Sequence, residues 1–334
     1  MPHLSRSILL PLTLALAALA ASLTACVSPV ERAAQRAERQ DLRASETVLR
    51  AEEARSAGDE ELALSLLAAA IEENPTLTVA HMKMGEIYRD RADWDDAADA
   101  YAVAASLEPR NFTAHYQHGF ALHMLERLAE AVRAYLRALA VRPDDFEANR
   151  NLATAYLQLG EPRQALTFAE RAVRLDQTSG PARANLGAVY SALDRHDDAV
   201  RAYQQAAELM ELTPELLVNL AESLGRLGRY EEMLFTLDRV LELQPTAAAW
   251  ERVGFARFKQ RDYTGATDAF RNSLELSPSH FPALNGLGVC LLNAYLMSDR
   301  TDDDARLEAL RHLRRSLRIN QRQPRIVELV SRFS

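Results

Sequence analysis

The sequence predicts an all-α solenoid, a stack of copied helical hairpins, because three kinds of residue recur at fixed spacings. Glycine or alanine recurs at a step of 34 residues, shortened once to 33, at Gly85, Gly119, Ala153, Gly187, Ala221, Gly254 and Gly288. A second series lies about half a repeat later, at Ala63, Ala97, Ala131, Ala165, Ala199, Met233 and Ala266. A third series is Pro75, Pro109, Pro143, Pro245 and Pro278. Self-similarity of this length indicates one supersecondary unit that is copied and stacked.

The composition is that of a soluble helical protein, with only 12 glycines and 7% aromatic residues in 334. The net charge is −8. Without residues 1–25, which contain Arg6 and no acidic residue, the chain has 38 basic and 47 acidic residues, a net charge of −9. This balance argues against a nucleic-acid partner, which favours a concentrated basic surface. Of the two cysteines, Cys290 lies in an apolar stretch that predicts a buried, inert thiol.

The other cysteine, Cys26, follows a segment that has the features of a targeting signal. Arg6 precedes an apolar run from Ile8 to Ala21, too short for a comfortable membrane span of about 20 residues. The sequence Leu23-Thr24-Ala25-Cys26 then resembles the lipobox of bacterial lipoproteins. The resemblance implies cleavage before Cys26 and acylation of its thiol and new amine. An ordinary signal peptide cleaved after Ala18-Leu19-Ala20, or an uncleaved anchor, are the alternatives.

Acylation at Cys26 implies anchoring to a membrane, because two or more acyl chains give stable attachment. Val27 stands where an aspartate commonly retains Gram-negative lipoproteins in the inner membrane, so the resemblance implies the periplasmic face of the outer membrane. We therefore expect a signal peptide over 1–25, and a lipid anchor and partly helical tether over 26–45. A solenoid over 46–323 and a C-terminal capping helix over 324–334 follow.

The segment Thr78–Asn111, numbered from position 1 to 34, shows why each repeat predicts two antiparallel helices. Positions 4, 7, 8 and 11 fall in one arc of about 100° on a helix, and positions 20, 24 and 27 form a second stripe. Small residues at positions 8, 20 and 27 allow the two helices to approach closely, and large ones at 11 and 24 fill the space beside them. Pro109 ends the second helix. Ala92 and Asp93 form the turn, where other repeats have glycine.

This pattern resembles the tetratricopeptide repeat, which has Leu-Gly at positions 7–8, tyrosine at 11, alanine at 20 and 27, an aromatic residue at 24 and proline at 32. The resemblance covers about 44–321, some eight hairpins, and implies a right-handed superhelix. The first repeat has Arg50 and Ala51 at positions 7–8 and resembles a degenerate end cap. Gln177 and Glu211 replace the terminal proline in two repeats.

The C-terminal end departs from the pattern in two ways. The eighth repeat has nine residues more than the others between Leu291 and Ala309, and this insertion contains an acidic run from Asp299 to Asp304. The final stretch, Pro324 to Phe333, has apolar residues on one helical stripe. We expect that stretch to be a capping helix that covers the last apolar face.

The candidate functional surface consists of positions 2, 5, 6, 9, 12 and 13 of each first helix, in an arc of about 120° opposite the packing stripe. The resemblance implies that this arc lines a concave groove that binds extended or helical peptides. Position 6 is asparagine in three successive repeats, at Asn151, Asn185 and Asn219. These amides contact a peptide backbone in one hypothesis and bond within the solenoid in the other.

The other groove residues that we single out are Tyr116, Phe120, Arg150, Thr154, Glu222, Arg226, Arg252 and Phe255. Arginine and exposed aromatic residues are enriched at binding hot spots. The alternative is that each aromatic side chain packs against a neighbouring repeat.

No metal site, cofactor or catalytic centre is predicted. His115 and His118 occupy packing positions, and their helix has no acidic residue to complete a metal site. The acidic insertion lacks the glycine and alternating ligands of an EF-hand, and Thr301 followed by Asp304 predicts a capping box instead. Asn285-Gly286-Leu287-Gly288 lacks the third glycine of a dinucleotide loop.

The sequence therefore predicts a non-catalytic lipoprotein adaptor that binds a protein or peptide partner and serves in envelope complex assembly, in the manner of a pilotin. A substrate-presenting subunit of an envelope enzyme complex and a self-assembling structural protein are the alternatives. The oligomeric state is left open.

Overall fold

The structure, a computed structural model, describes residues 28–334, and within that range the regular elements are all α-helices. They are α1 Pro29–Ser56, α2 Glu60–Glu73, α3 Thr78–Asp90, α4 Trp94–Leu107, α5 Phe112–Met124, α6 Leu128–Val141, α7 Phe146–Gln158, α8 Pro162–Leu175, α9 Gly180–Ala192, α10 His196–Leu209, α11 Pro214–Arg226, α12 Tyr230–Leu243, α13 Ala247–Lys259, α14 Tyr263–Leu276, α15 Phe281–Met297, α16 Asp303–Ile319 and α17 Pro324–Phe333. The predicted all-α solenoid class is confirmed. The expected signal peptide and Cys26 lie outside the described residues.

The helices are organised as two compact units, and the boundary between them in the sequence follows Val141. The first unit holds α1–α6, which pair in sequence as three hairpins. The second unit begins at Arg142 and holds five hairpins from α7 to α16, followed by α17. The described chain thus contains the eight hairpins that the repeat spacing predicts.

The first helix is longer than the repeat requires. Ser28 caps its N-terminus through a capping box with Glu31, and the helix runs without interruption to Ser56. Its residues are exposed until Ala44, the first buried side chain. The segment expected to be a partly helical tether is therefore helical from Pro29 onward and continuous with the first hairpin.

In four hairpins, close contact between a glycine and an aromatic ring determines the distance between the two helices. The glycine is at position 8 and the ring is at position 24, as in Gly85 with Tyr101 and Gly187 with Tyr203. A Cβ atom placed on either glycine would lie 2.6–2.7 Å from a ring carbon, a distance that van der Waals repulsion forbids. Tyr101 and Tyr203 are fully buried there, and burial raises the pKa of Tyr101 to about 12.

Where position 8 is alanine, position 24 has no ring: Ala153 is combined with Ala169, and Ala221 with Leu237. All four side chains are buried. In the Ala221–Leu237 hairpin, the smaller residue on the second helix compensates for the added methyl group on the first, because a close-packed interior tolerates little change in volume.

The turn between the two helices of a hairpin places position 15 in the left-handed region. Gly58, Gly160 and Gly228 have φ between 74° and 85° there, in the turns that the sequence predicts. Ala92 adopts φ 61° at the same position, without a glycine's conformational freedom. The turn is therefore imposed by the packing of the two helices.

Polar side chains at position 4 connect each hairpin to the loop before it. His115 Nε2 lies 3.1 Å from the carbonyl oxygen of Pro109, and Asn149 Nδ2 donates to the carbonyl of Pro143 at 2.9 Å. Arg183 makes the equivalent bond to the carbonyl of Gln177 at 2.8 Å. His115 and Asn149 are buried, so these bonds satisfy loop carbonyls. The histidine at this position is thus a structural hydrogen-bond donor.

The C-terminal insertion extends both helices of the last hairpin to 17 residues each. Helix α16 is capped by Asp302, whose side chain accepts from the backbone N–H of Ala305 at 3.0 Å. The predicted capping box at Thr301 is wrong, because the Thr301 hydroxyl donates to the carbonyl of Ser298 instead, at 2.7 Å. Helix α17 packs its apolar stripe, including Ile326 and Phe333, against the last hairpin, as a capping helix should.

The glycine–ring contact yields a first prediction. We expect Gly187→Ala to lower the free energy of unfolding by about 1–2 kcal/mol, because overpacking outweighs the helix propensity that alanine gains. The double variant Gly187→Ala/Tyr203→Leu should lose less than the sum of its two single variants, since it recreates the Ala221–Leu237 combination. Chemical denaturation of all three variants measures this coupling. Strictly additive losses would contradict it.

Candidate partner-binding face

The surface expected to carry function is formed by the first helices of the hairpins in the second unit. We call it the first-helix face; at position 6 it carries Asn151, Asn185, Asn219, Arg252 and Gly286. Neighbouring first helices make direct contacts, as α7 does with α9 and α13 with α15. Side chains from successive repeats can therefore act together on this face.

The three asparagines do not form a uniform ladder. Asn185 Nδ2 donates to Thr154 Oγ1 of the preceding hairpin at 2.7 Å, and Thr154 Oγ1 in turn donates to the carbonyl of Arg150 at 3.1 Å. The Asn185 Oδ1 atom is buried without a donor. Asn151 Oδ1 lies 3.5 Å from the guanidinium of Arg150. For Asn185 the structure supports the alternative of a bond within the solenoid.

Asn219 differs from the other two asparagines. It is half-buried, and its side chain forms no hydrogen bond with any residue in the described part of the chain. Its donors and its acceptor are therefore available to a partner, which would have to replace the hydrogen bonds that they make with water.

Charged residues of the predicted groove are partly paired with each other. Arg252 forms a salt bridge with Glu222 of the preceding hairpin, with Nε 3.0 Å from Oε1. Arg150 pairs with Glu147 on its own helix at 2.6 Å. Arg226 is exposed and has no ion pair among residues 28–334. Arg226 is therefore the free cation of this group.

The two remaining aromatic residues of the prediction, Tyr116 and Phe120, belong to the first unit. Tyr116 stacks on Phe112 with ring centroids 5.8 Å apart, and Phe120 meets Trp94 edge-to-face at 5.8 Å. Both are half-buried. The structure thus supports the packing alternative for these two rings, and a role in contacting a partner stays a prediction.

The equivalent face of the first unit is occupied by an ion network. Arg55 lies 3.0 Å from Glu86 and also contacts Asp90, while Lys83 lies 2.9 Å from Glu52. These pairs link the first two hairpins and neutralise each other. The network leaves less unpaired charge for a partner than the face of the second unit does.

A cavity that the sequence analysis did not identify lies on the first-helix face between α13 and α15. Its volume is about 270 Å³, and its lining residues are Glu251, Phe255, Phe258, Lys259, Phe270, Pro282, Asn285, Gly286 and Val289. We call it the Glu251 pocket. Phe255 was predicted as a groove residue, and it is 40% exposed at the pocket.

Gly286 opens this pocket onto a ring from the other helix of the preceding hairpin. A Cβ atom at Gly286 would lie 2.3 Å from Cζ of Phe270, so any side chain would require the ring to move. The signal in the sequence is that glycine replaces the asparagine or arginine of position 6. Position 6 alone could not reveal the pocket, because its floor is the ring at position 24.

Glu251 is the acidic group of the pocket. Its carboxylate forms no hydrogen bond or ion pair with the other described residues, although Arg252 is adjacent in sequence. Burial raises the pKa of Glu251 above its ordinary value of 4.5, against the opposing effect of Arg252, and the charge of Glu222 raises it further. The carboxylate is thus available to a cation or a hydrogen-bond donor from outside the described chain.

The described residues contain no group of three or more histidine, cysteine, aspartate or glutamate side chains that could hold a metal ion. Among residues 28–334 no helix combines the length and apolarity needed to cross a membrane. Cys290 is buried as predicted, and burial raises its pKa to about 11, so the thiol is protonated at neutral pH.

Glu251 gives a second prediction, on the pH dependence of stability. A carboxyl group whose pKa is raised in the folded chain lowers the stability of the fold once the pH exceeds the pKa that the group has in the unfolded chain. We therefore expect Glu251→Gln to melt at a higher temperature than the wild-type chain at pH 7, with the difference vanishing near pH 4. Circular dichroism melts at both pH values measure it.

The matched control is Glu208→Gln, since Glu208 is exposed on α10 and has no ion pair with the other residues described. The control variant should melt with the wild type at both pH values. The prediction would be contradicted if the melting temperature of Glu251→Gln, measured against that of the wild type, were lower at pH 7 than at pH 4.

Comparison with known protein families matches this architecture. Profiles described as tetratricopeptide repeat match residues 110–178, 182–215, 214–246, 82–137 and 254–317. Together these ranges cover more than half of the chain. A search of curated protein sequences gives no match.

Similar solved structures include a tetratricopeptide repeat protein from Parabacteroides merdae, with 18% identity, a TM-score of 0.52, and coverage of 74% of this chain and 98% of that one. The Cut9–Hcn1 hetero-tetramer of the APC/C has 20% identity and a TM-score of 0.53, and the match covers 81% of this chain and 52% of that one. PilF of Pseudomonas aeruginosa has 19% identity and a TM-score of 0.50, and the match covers 62% of this chain and 94% of that one. At these identities the likeness concerns the fold.

Proposed function

The chain belongs to the tetratricopeptide repeat family, and we propose that it is a non-catalytic adaptor that holds a polypeptide partner on the first-helix face of its second unit. The repeat fold supports a protein-interaction role, because stacked helical hairpins present extended surfaces to other chains. The described residues from 44 onward are used by hairpins and the closing helix. An adaptor needs no more than this.

The observation that carries the proposal is the set of groups on this face that have no partner within the described chain. Asn219, Arg226 and Glu251 have no side-chain partner among the described residues, and Phe255 on the same face is 40% exposed. In the first unit, Arg55, Lys83 and Glu86 of the equivalent face are already in ion pairs. Exposed arginine and aromatic side chains are enriched at binding hot spots, so this combination marks the face as the candidate binding surface.

We further propose that the adaptor is a lipoprotein attached at Cys26 to the periplasmic face of the outer membrane and that it serves in envelope complex assembly. The support is the apolar run up to Ala21 and the lipobox-like sequence that ends at Cys26. The exposed, capped start of α1 at Pro29 supports it too, because this segment separates the hairpins from a membrane-bound end.

Mass spectrometry of the mature N-terminus tests the lipoprotein proposal. We expect the chain to begin at a Cys26 that carries acyl chains on its thiol and amine, and Cys26→Ala to release the protein from the membrane fraction. An unmodified mature chain that begins at another residue would overturn the proposal.

The adaptor proposal is tested by crosslinking in native membranes, identification of the crosslinked partner by mass spectrometry, and titration of that purified partner. We expect the double variant Asn219→Ala/Phe255→Ala to bind at least tenfold more weakly, since it removes amide hydrogen bonds and an exposed ring. Both changes are at half-buried or exposed sites, so the melting temperature should change little.

Glu208→Gln is again the control and should leave the affinity unchanged. Unchanged affinity of Asn219→Ala/Phe255→Ala would remove the first-helix face as the binding site. A substrate-presenting role in an enzyme complex would show as catalytic activity in the crosslinked complex, and self-assembly would show in light scattering of the purified chain.

A further inference from the structure

The Glu251 pocket has a chemical bias, which is that its unsatisfied polar groups accept hydrogen bonds. The carboxylate of Glu251 has no partner among the described residues, and Oδ1 of Asn285, which is covered in this structure, has no donor either. The rest of the lining is largely apolar, with Phe255, Phe258 and Val289 among the walls. A ligand that suits this lining has an apolar stem and a head rich in hydrogen-bond donors.

The orientation of Asn285 follows from its neighbours. Gln323 Nε2 lies 2.8 Å from the carbonyl of Asn320 and 3.0 Å from Ser316 Oγ, so its amide nitrogen is used in donating. Gln323 Oε1 is then left to accept from Asn285 Nδ2 at 2.6 Å. The Asn285 oxygen must therefore be the atom without a partner, because the network fixes which way the amide faces.

Lys259 is the cation of the pocket lining, but it does not satisfy Glu251. Its Nζ lies over the ring of Phe255, 5.4 Å from the centroid, and the residue is exposed. No ion pair joins it to Glu251 in the described chain. The acidic end of the pocket is thus left open to a cation from outside.

We propose that the Glu251 pocket binds an arginine side chain of the partner polypeptide, with the guanidinium donating to Glu251 and the stem lying against the phenylalanine rings. This inference rests on the proposed function and deepens it. Arginine suits the site because its planar head donates several hydrogen bonds to a carboxylate and also stacks on aromatic faces.

Other occupants fit the pocket less well. An aliphatic side chain would bury the Glu251 carboxylate without a counter-charge, which is costly. An acidic side chain would place a second negative charge beside the first. The ring of Phe270 below Gly286 gives the stem of an arginine an apolar floor.

The test uses pools of 12-residue peptides with random flanks around one fixed central residue: arginine, citrulline, leucine or glutamate. Citrulline keeps the shape of arginine without its charge. Binding of each fluorescent pool to the full chain, purified in detergent, is measured by polarisation. We expect the arginine pool to bind at least tenfold more tightly than the citrulline pool.

The Glu251→Gln variant should reduce that ratio to near one, and Glu208→Gln should keep it. Because the arginine–citrulline comparison is made on the wild-type chain, the test does not depend on a variant that folds poorly. Equal binding of the two pools, a stronger leucine or glutamate pool, or a ratio that persists in Glu251→Gln would each overturn the proposal. Absence of binding by all pools at millimolar peptide would overturn it too.

Failure of the arginine proposal is distinguishable from failure of the adaptor proposal. If the arginine preference is absent while Asn219→Ala/Phe255→Ala still weakens the identified partner, the face binds a partner and the pocket chemistry is different. If that double variant binds the partner normally, the first-helix face is not the binding site at all.

Discussion

Close contact between position 8 of the first helix and position 24 of the second is the interaction on which the rest of the structure depends. In four hairpins it is a glycine beneath an aromatic ring, and a Cβ atom there would lie at most 2.8 Å from a ring carbon. Such a short distance fixes the spacing and rotation of the two helices together. Once the spacing and rotation are fixed, the opposite side of every first helix faces away from the core. Side chains that bind a partner can lie on that side.

Residue size at these positions also shows how the repeat tolerates variation. Ala221 with Leu237 moves volume from the second helix to the first while both side chains stay buried. The change is not confined to one hairpin, because Tyr203, Leu237 and Val253 from three successive hairpins belong to one core cluster. Variation at position 8 or 24 is therefore accommodated by the packing of neighbouring repeats as well.

The sequence predicted the features that depend on spacing along the chain, and it missed those that depend on which atoms meet in space. The 34-residue step located the hairpins and the turn at Ala92, and the apolar stripe from Pro324 to Phe333 located the closing helix. It placed the cap of α16 at Thr301 and not at Asp302, because either side chain can cap a helix and the spacing to Asp304 favoured Thr301. It also missed the Glu251 pocket, whose floor is formed by a ring from another helix.

The difference between Asn185 and Asn219 is the strongest link between this fold and the proposed function. Asn185 shows that a position-6 amide can be satisfied inside the solenoid, since it donates to Thr154 at 2.7 Å. Asn219 occupies the equivalent position, yet alanine occupies the place of Thr154 in the hairpin before it, at Ala188. The loss of one hydroxyl thus converts a structural amide into an available one. A hydrogen bond that is present in one repeat and absent from the next is expected at a functional site, where a partner supplies the missing atom.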